Sequence, residues 1–332
     1  MKAIALVSGG LDSILAARIM VEQAIEVSAL HMRLPVHHYY FDQTREKTLE
    51  RFGKWGIKVA ELDYTEDFLE VLKNPGHGYG KNMNPCIDCR ILMLKKTKEA
   101  MEKQGACFIV TGEVVGQRPM SQYRNTIQHI EKQAGVDGLV LRPLCAKLLP
   151  ESIPEKNGWV KRGLLFNFSG RSRKPQIELA KKFGMDDYPN ASGGCLLTYS
   201  GYAGKIKDLI SHNELDAENL SLMQIGRHFR LSPKAKLIVG KDQKENQLLV
   251  SKAKENDFIF EPLEEIRGPT ALGRGEFSQR EARALAVSIV GHYCDKDQTD
   301  IKISMIDKTA TQKQIFLYSS IQPINIEKFR IQ

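Results

Sequence analysis

The sequence lacks any apolar run near the roughly 18 residues that a membrane-spanning helix needs. Its first apolar stretch, Ala3–Val7, is broken at once by Ser8-Gly9-Gly10, too early for a secretory leader. Six cysteines in 332 residues are too few for a disulfide scaffold, and a chain this long does not need one. No internal repeat or low-complexity segment occurs, and no Gly-Lys-Ser/Thr follows the early glycines, so a Walker phosphate loop is excluded. These absences read as a cytoplasmic protein without a membrane partner, whose special cysteines do metal or redox chemistry. What is present fits that frame: 42% hydrophobic and 27% charged residues bury a sizeable core, and the length suggests two domains.

The net charge is +8, which suits a polyanionic partner. Between Arg142 and Lys182 ten basic residues stand against three acidic ones, so nearly all the excess lies there. Trp159, Phe166 and Phe168 interleave with these bases, a pattern that favours nucleic acid over a merely solvated face.

Strand and helix patterns alternate through the first 145 residues. Strands are expected at Ala3–Val7, Glu26–Met32, Lys58–Leu62 and Cys107–Thr111, with helices over Leu11–Ile25, Thr44–Trp55 and Cys89–Gln104. This alternation implies an α/β fold with a doubly wound parallel sheet, whose ligands bind at the carboxyl ends of the strands. The loops Ser8–Asp12, His31–Tyr40 and Thr111–Gln122 all follow strands and should gather at that edge. Gln176–Phe183 reads as a helix with Pro175 in its first turn. From Gly226 the pattern becomes a smaller α+β domain: strands at Phe229–Gly240, Phe258–Phe260, Ile301–Ile306 and Ile315–Tyr318, and capping boxes at Asp242/Glu245 and Ser278/Glu281. The division is therefore 1–200, a linker 201–225, and 226–332.

The strongest motif is Ser8-Gly9-Gly10-Leu11-Asp12-Ser13, which ends a strand and opens a helix. Two glycines let the backbone approach an oxyanion, and the helix N-terminus supplies unpaired N–H groups and a favourable dipole. Ser8 and Ser13 add hydroxyls, and Asp12 can hold a magnesium ion beside phosphates. Next, Asn84-Pro85-Cys86-Ile87-Asp88-Cys89 places a C-x-x-C at a helix start, where the dipole favours thiolate. A third cysteine lies in Gly193-Gly194-Cys195-Leu196-Leu197-Thr198. Zinc with a fourth ligand competes for such a set. Cys107, Cys145 and Cys294 sit in apolar segments and read as small core residues.

The loop at 8–13 resembles that of the PP-loop ATP pyrophosphatase superfamily. With the Asn-Pro-Cys-x-x-Cys and Gly-Gly-Cys motifs, the chain is similar to the tRNA thiouridine synthetases, over roughly residues 1–200. The stretch Thr111–Gln117 with Ser121-Gln122, and Arg142-Pro143-Leu144, resembles the catalytic domain of 4-thiouridine synthetases; the cysteine motifs also resemble 2-thiouridylases. The run Gly226–Arg230, with Leu237–Asp242 and Glu245-Asn246, is similar to the RNA-binding domain of NFACT-type proteins. It would replace the N-terminal RNA-binding region of the familiar 4-thiouridine synthetases, for which no room precedes residue 8.

The resemblance implies that ATP adenylates a uridine carbonyl oxygen and that sulfur then displaces AMP. ATP would lie on Ser8, Gly9, Gly10, Asp12 and Ser13, with its adenine near His31 and Met32, and Thr111, Gly112 and Gln117 alongside. Catalytic roles fall to Asp12, Cys86 and Cys195. A [4Fe-4S] cluster on Cys86, Cys89 and Cys195 is favoured because all three cysteines are present, and a persulfide with a resolving thiol is the metal-free alternative. Expected cofactors are ATP, Mg2+ and that cluster. Expected partners are tRNA, a sulfur donor (a cysteine desulfurase relay or free sulfide) and a second copy in a homodimer. The tRNA would touch Arg142, Lys161, Arg162, Arg171, Arg173 and Lys174. Two other readings stay open: a PP-loop ligase of a small molecule with a zinc site, and a non-catalytic RNA-binding protein.

Overall fold

The computed structural model describes residues 1–34, 36, 40–188, 195–263, 266–295, 300–309, 313–319 and 324–332, excluding the side chains of 40–45. The chain divides into two units, Met1–Thr198 and Tyr199–Gln332.

The first unit runs β1 (Lys2–Val7), α1 (Leu11–Glu22), β2 (Glu26–Arg33), α2 (Tyr40–Lys54), β3 (Lys58–Asp63), α3 (Thr65–Lys73), α4 (Cys86–Lys103), β4 (Phe108–Thr111), α5 (Arg124–Ala134), β5 (Val140–Leu141), α6 (Ile153–Lys156) and α7 (Lys174–Lys182). Its five strands are parallel in the order β3-β2-β1-β4-β5. Ala3 to Val7 are all buried, as expected of a strand covered on both faces, which is why its apolar run is continuous rather than alternating. The order reverses beside β1, so the crevice between the ends of β1 and β4 is the topological switch point. Val7 lies opposite His31 and Leu6 opposite Thr111, which brings the loops after β1, β2 and β4 to one edge. The expected loop 31–40 contains residues 35 and 37–39, which lie outside the described residues. The core beneath the site joins Leu11, Ile14 and Leu15 of α1 to Leu179 and Ala180 of α7.

The second unit holds α8 (Ser200–Ser211), α9 (Ala217–Leu222), β6 (Arg227–Ser232), β7 (Ala235–Val239), α10 (Gln243–Lys252), β8 (Asp257–Pro262), β9 (Ala271–Gly275), α11 (Arg280–His292), β10 (Asp300–Asp307) and β11 (Lys313–Ser319). Its six strands are antiparallel in the order β11-β10-β8-β9-β7-β6. Ala282, Ala286, Ile289 and Val290 of α11 lie in the same core as Phe229, Leu237 and Phe260 of the sheet.

Three local expectations change. Residues 201–225 are not a linker: α8 buries Tyr202, Ala203, Ile206 and Leu209, α9 buries Leu220 and Leu222, and the division falls at 198/199. The single strand Phe229–Gly240 is the hairpin β6–β7, because Pro233 interrupts the run. Asp242 caps α10 by accepting from the Glu245 N–H at 2.9 Å, whereas α11 starts two residues after Ser278 and has no side-chain cap.

Candidate functional site

Gly9 takes a φ of +73°, a left-handed turn that suits glycine and folds the chain from β1 into α1. The turn is tied internally: Ser13 Oγ donates to the Gly10 carbonyl at 2.8 Å and accepts from the Ser8 N–H at 3.2 Å. The first helical N–H groups have no partner inside the helix and are the donors such a site offers an anion. Gly112, just after β4, closes the other side. A methyl group there would meet the Asp12 carbonyl carbon and the Ser13 nitrogen, each at 2.5 Å, so only glycine lets the two loops touch.

Asp12 is the half-buried acid of this crevice. Gln117 Nε2 donates to its Oδ2 at 3.0 Å, while Oδ1 is buried with no hydrogen-bond partner. Burial pushes its carboxyl above the usual range against the opposing pull of Gln117, Arg173, Arg118 and Gln176. Arg118 and Gln176 escaped the sequence reading; Gln117 was its neighbour, but nothing in the spacing points from residue 12 to residue 176. The 112–122 loop is stapled at both ends: Gly116 N–H donates to the Gln122 carbonyl at 2.8 Å, and Gly170 N–H to the Val115 carbonyl at 2.8 Å. That second bond carries Arg173 to the site.

The three motif cysteines converge. Cys86 and Cys89 are one turn apart at the start of α4, hence on one face. The segment 195–198 is clamped opposite them: Met83 N–H donates to the Leu197 carbonyl at 3.2 Å and Asn82 Nδ2 to the Thr198 carbonyl at 2.7 Å. Burial pushes the Cys89 thiol up to about 12, and the neighbouring Cys195 and Cys86 add to it. Cys195 is raised too, by burial first, with Arg118 pulling the other way. Gly193 and Gly194, just before it, lie outside the described residues. Among the described residues no three His, Cys, Asp or Glu side chains stand as a single ion would hold them; zinc would draw its sulfurs to within about 3.8 Å of one another. The set offers three thiols to a thiolate-held group, and the buried Tyr64 hydroxyl beside Cys89, which makes no hydrogen bond of ordinary geometry, could donate to a thiolate there. His77 is held by Asp88 of the C-x-x-C through its N–H at 2.9 Å and Nδ1 at 2.8 Å. Cys145 and Cys294 are buried and Cys107 half-buried, as core residues should be.

A buried ionic chain fixes α4 against β4. Glu113 accepts from Arg90 Nε at 2.7 Å and from Arg142 Nε at 2.9 Å, and Arg142 also pairs with Glu131. Burial works to raise the Glu113 carboxyl, but the two guanidiniums prevail and hold it at about 2. Arg142 is thus a correction: at 3% exposure it braces the core and cannot reach a nucleic acid.

The other expected RNA contacts separate by partner. Arg162 is held by Glu155 at 2.5 Å, Arg173 faces Asp12, and Lys161, Arg171 and Lys174 are exposed. Trp159 stacks on Phe108 with centroids 6.3 Å apart, and Phe166 and Phe168 pack on the same core, so these aromatics are not a stacking platform for bases. His31 and Met32 are buried at the end of β2, with His31 Nδ1 bonded to the Val7 carbonyl at 2.9 Å.

Residues 1–148 match the family model described as thiamine biosynthesis protein (ThiI), and residues 226–330 match the NFACT protein RNA binding domain. The resemblance read from the motifs therefore holds on both halves. The "Probable tRNA sulfurtransferase" of Thermococcus kodakarensis is 32% identical over 152 residues, 43% of this chain and 36% of that protein. The tRNA-specific 2-thiouridylase MnmA of Sulfurimonas denitrificans is 31% identical over 112 residues, 32% of this chain and 33% of that one. Among solved structures, a 4-thiouridine synthetase in complex with RNA and ATP is 21% identical with a TM-score of 0.40, covering 55% of this chain and 40% of that one. The chain spans about a third of the length of the curated relatives it matches, at 36% and 33%. No helix among the described residues is long and apolar enough to cross a membrane.

Proposed function

We propose that the chain is an ATP-dependent tRNA sulfurtransferase that exchanges a uridine carbonyl oxygen for sulfur. One observation carries the reading: a single loop, 112–122, serves both candidate centres. Its Gln117 holds Asp12, and its Arg118 bears on Asp12 and on Cys195. A phosphate site and a thiol site sharing one arginine suit a reaction in which a nucleotide activates the atom that sulfur then replaces.

The α-phosphate would lie over the Ser8–Ser13 turn, with its charge met by helix N–H groups, Arg118 and Arg173. Uridine oxygen attacks it, pyrophosphate leaves, and the base carries AMP on that oxygen. Sulfur then adds at the ring carbon, and the oxygen departs with AMP. Adenylation is needed because a carbonyl oxygen is otherwise a poor leaving group. Asp12 Oδ1, a buried oxygen with no donor, fits Mg2+, which would neutralise polyphosphate charge. Cys86, Cys89 and Cys195 would hold the [4Fe-4S] cluster, which supplies an iron to bind hydrosulfide. Tyr64 and the burial around Cys89 keep water from that centre. The exposed Lys161, Arg171 and Lys174 and the module matching the NFACT RNA binding domain would bind the tRNA; a sulfur donor and a cytoplasmic homodimer belong to the same reading.

The test supplies the anaerobically purified protein with ATP, sulfide and unmodified tRNA, and follows pyrophosphate release and thiouridine in digested RNA. Asp12→Asn should lower both by about a hundredfold or more, while Cys195→Ser should abolish thiouridine and spare pyrophosphate release. Full thiolation by the Asp12 variant, or pyrophosphate release that ignores tRNA, would overturn the proposal.

A further inference from the structure

Gln176 occupies a position where an apolar residue would be expected. It lies in the first turn of α7 on the same face as Leu179 and Ala180, which join the core against α1. Its exposure is 0% and its amide bears on the Asp12 carboxylate, yet neither Oε1 nor Nε2 makes a hydrogen bond of ordinary geometry. Burying an unsatisfied amide is destabilising, and buried polar groups in native proteins are nearly always satisfied. A third unsatisfied atom, Asp12 Oδ1, belongs to the carboxylate that Gln176 faces. Three buried orphan atoms from two helices thus meet at the Ser8–Ser13 turn, with Arg173 at the N-cap of α7 and Arg118 alongside.

Two of the three are hard oxygen acceptors and the third is an amide donor. A divalent cation bearing a phosphate satisfies all of them: the cation takes Asp12 Oδ1 and Gln176 Oε1, and a phosphate oxygen accepts from Nε2. Magnesium prefers such a site, one carboxylate and few other protein oxygens with phosphate completing the set. We infer that Gln176 is the second protein ligand of the cation that accompanies the ATP polyphosphate, with Arg173 and Arg118 on the phosphates. This rests on the ATP site proposed above.

Mn2+, titrated by electron paramagnetic resonance in the presence of ATP, reads the seat directly, and ATP binding in EDTA reads the nucleotide without it. Gln176→Leu should weaken Mn2+ about tenfold or more, weaken ATP in EDTA by clearly less than that because only the Nε2–phosphate hydrogen bond is lost there, and melt no lower than the parent, since a buried orphan amide is removed. Gln176→Glu keeps an oxygen and should retain Mn2+ affinity. A Gln176→Leu protein with parental Mn2+ affinity, or one that melts lower and loses ATP equally in EDTA, overturns this inference alone. A parent protein that binds no ATP, or an Asp12→Asn variant with unchanged Mn2+ affinity, overturns the functional reading and this inference with it.

Discussion

The two units bury charge in opposite ways. In the first, Glu113 lies between Arg90 and Arg142, so the buried ions neutralise one another, and three unsatisfied atoms, of Asp12 and Gln176, meet at the switch point. In the second, cations dominate. Lys236 is 3% exposed, its Nζ 3.5 Å from Asp208 and without a hydrogen bond; Arg230 already takes that carboxylate at 2.6 Å. Burial pushes Lys236 down to about 8 and Lys205 down to about 7, and holds His228 well below its ordinary value. Paired charge braces a site, whereas surplus charge makes the unit around it sensitive to pH.

The contrast is broken most strongly at Glu113. Glu113→Gln keeps the size but leaves Arg90 without a carboxylate and Arg142 with Glu131 alone, and should cost about 3–5 kcal/mol in urea unfolding. A loss nearer 1 kcal/mol, the worth of an exposed pair, would refute the bracing role. A smaller effect of opposite sign is expected in the second unit. The lysines are depressed in the folded state, so between their folded values and 10.5 the unfolded chain binds more protons, and stability rises with pH across that window. Lys236→Met should raise the melting midpoint by about 5 °C at pH 7, an advantage that shrinks toward pH 10; a gain independent of pH would contradict it. The smallest effects sharpen the contrast on the surface of the first unit. Lys161→Gln, Arg171→Gln and Lys174→Gln should each reduce the salt dependence of tRNA binding by about one counterion. Arg162→Gln, already paired with Glu155, should not. Equal losses at all four would mean that pairing does not decide which bases reach RNA.

Much of the site is local and hence legible in the sequence. Ser8–Ser13 and Cys86–Cys89 each sit within one turn of a helix start, where motif and geometry coincide, and strand alternation gives the sheet and its carboxyl edge. What stayed hidden is set by distant partners. Arg142 is one of ten bases in its stretch, and only Glu113 and Glu131 make it internal. The aromatics Trp159, Phe166 and Phe168 have the spacing of a nucleic-acid surface but face Phe108 and the core. Gln176 reads as an ordinary helix residue until Asp12 stands opposite, and residues 201–225 read as a linker because their turns hide two short helices. Periodicity shows that a residue has a face; it does not show which segment covers it.

Gly112 gives the nucleotide seat a fixed gauge. Backbone meets backbone there, and an added methyl would stand 2.5 Å from atoms of residues 12 and 13. The gap between the loops is therefore set by main-chain thickness, with no side-chain torsion available to absorb an error. Substitutions elsewhere on the loops can change which groups line the crevice, but its width tolerates less than one methyl group.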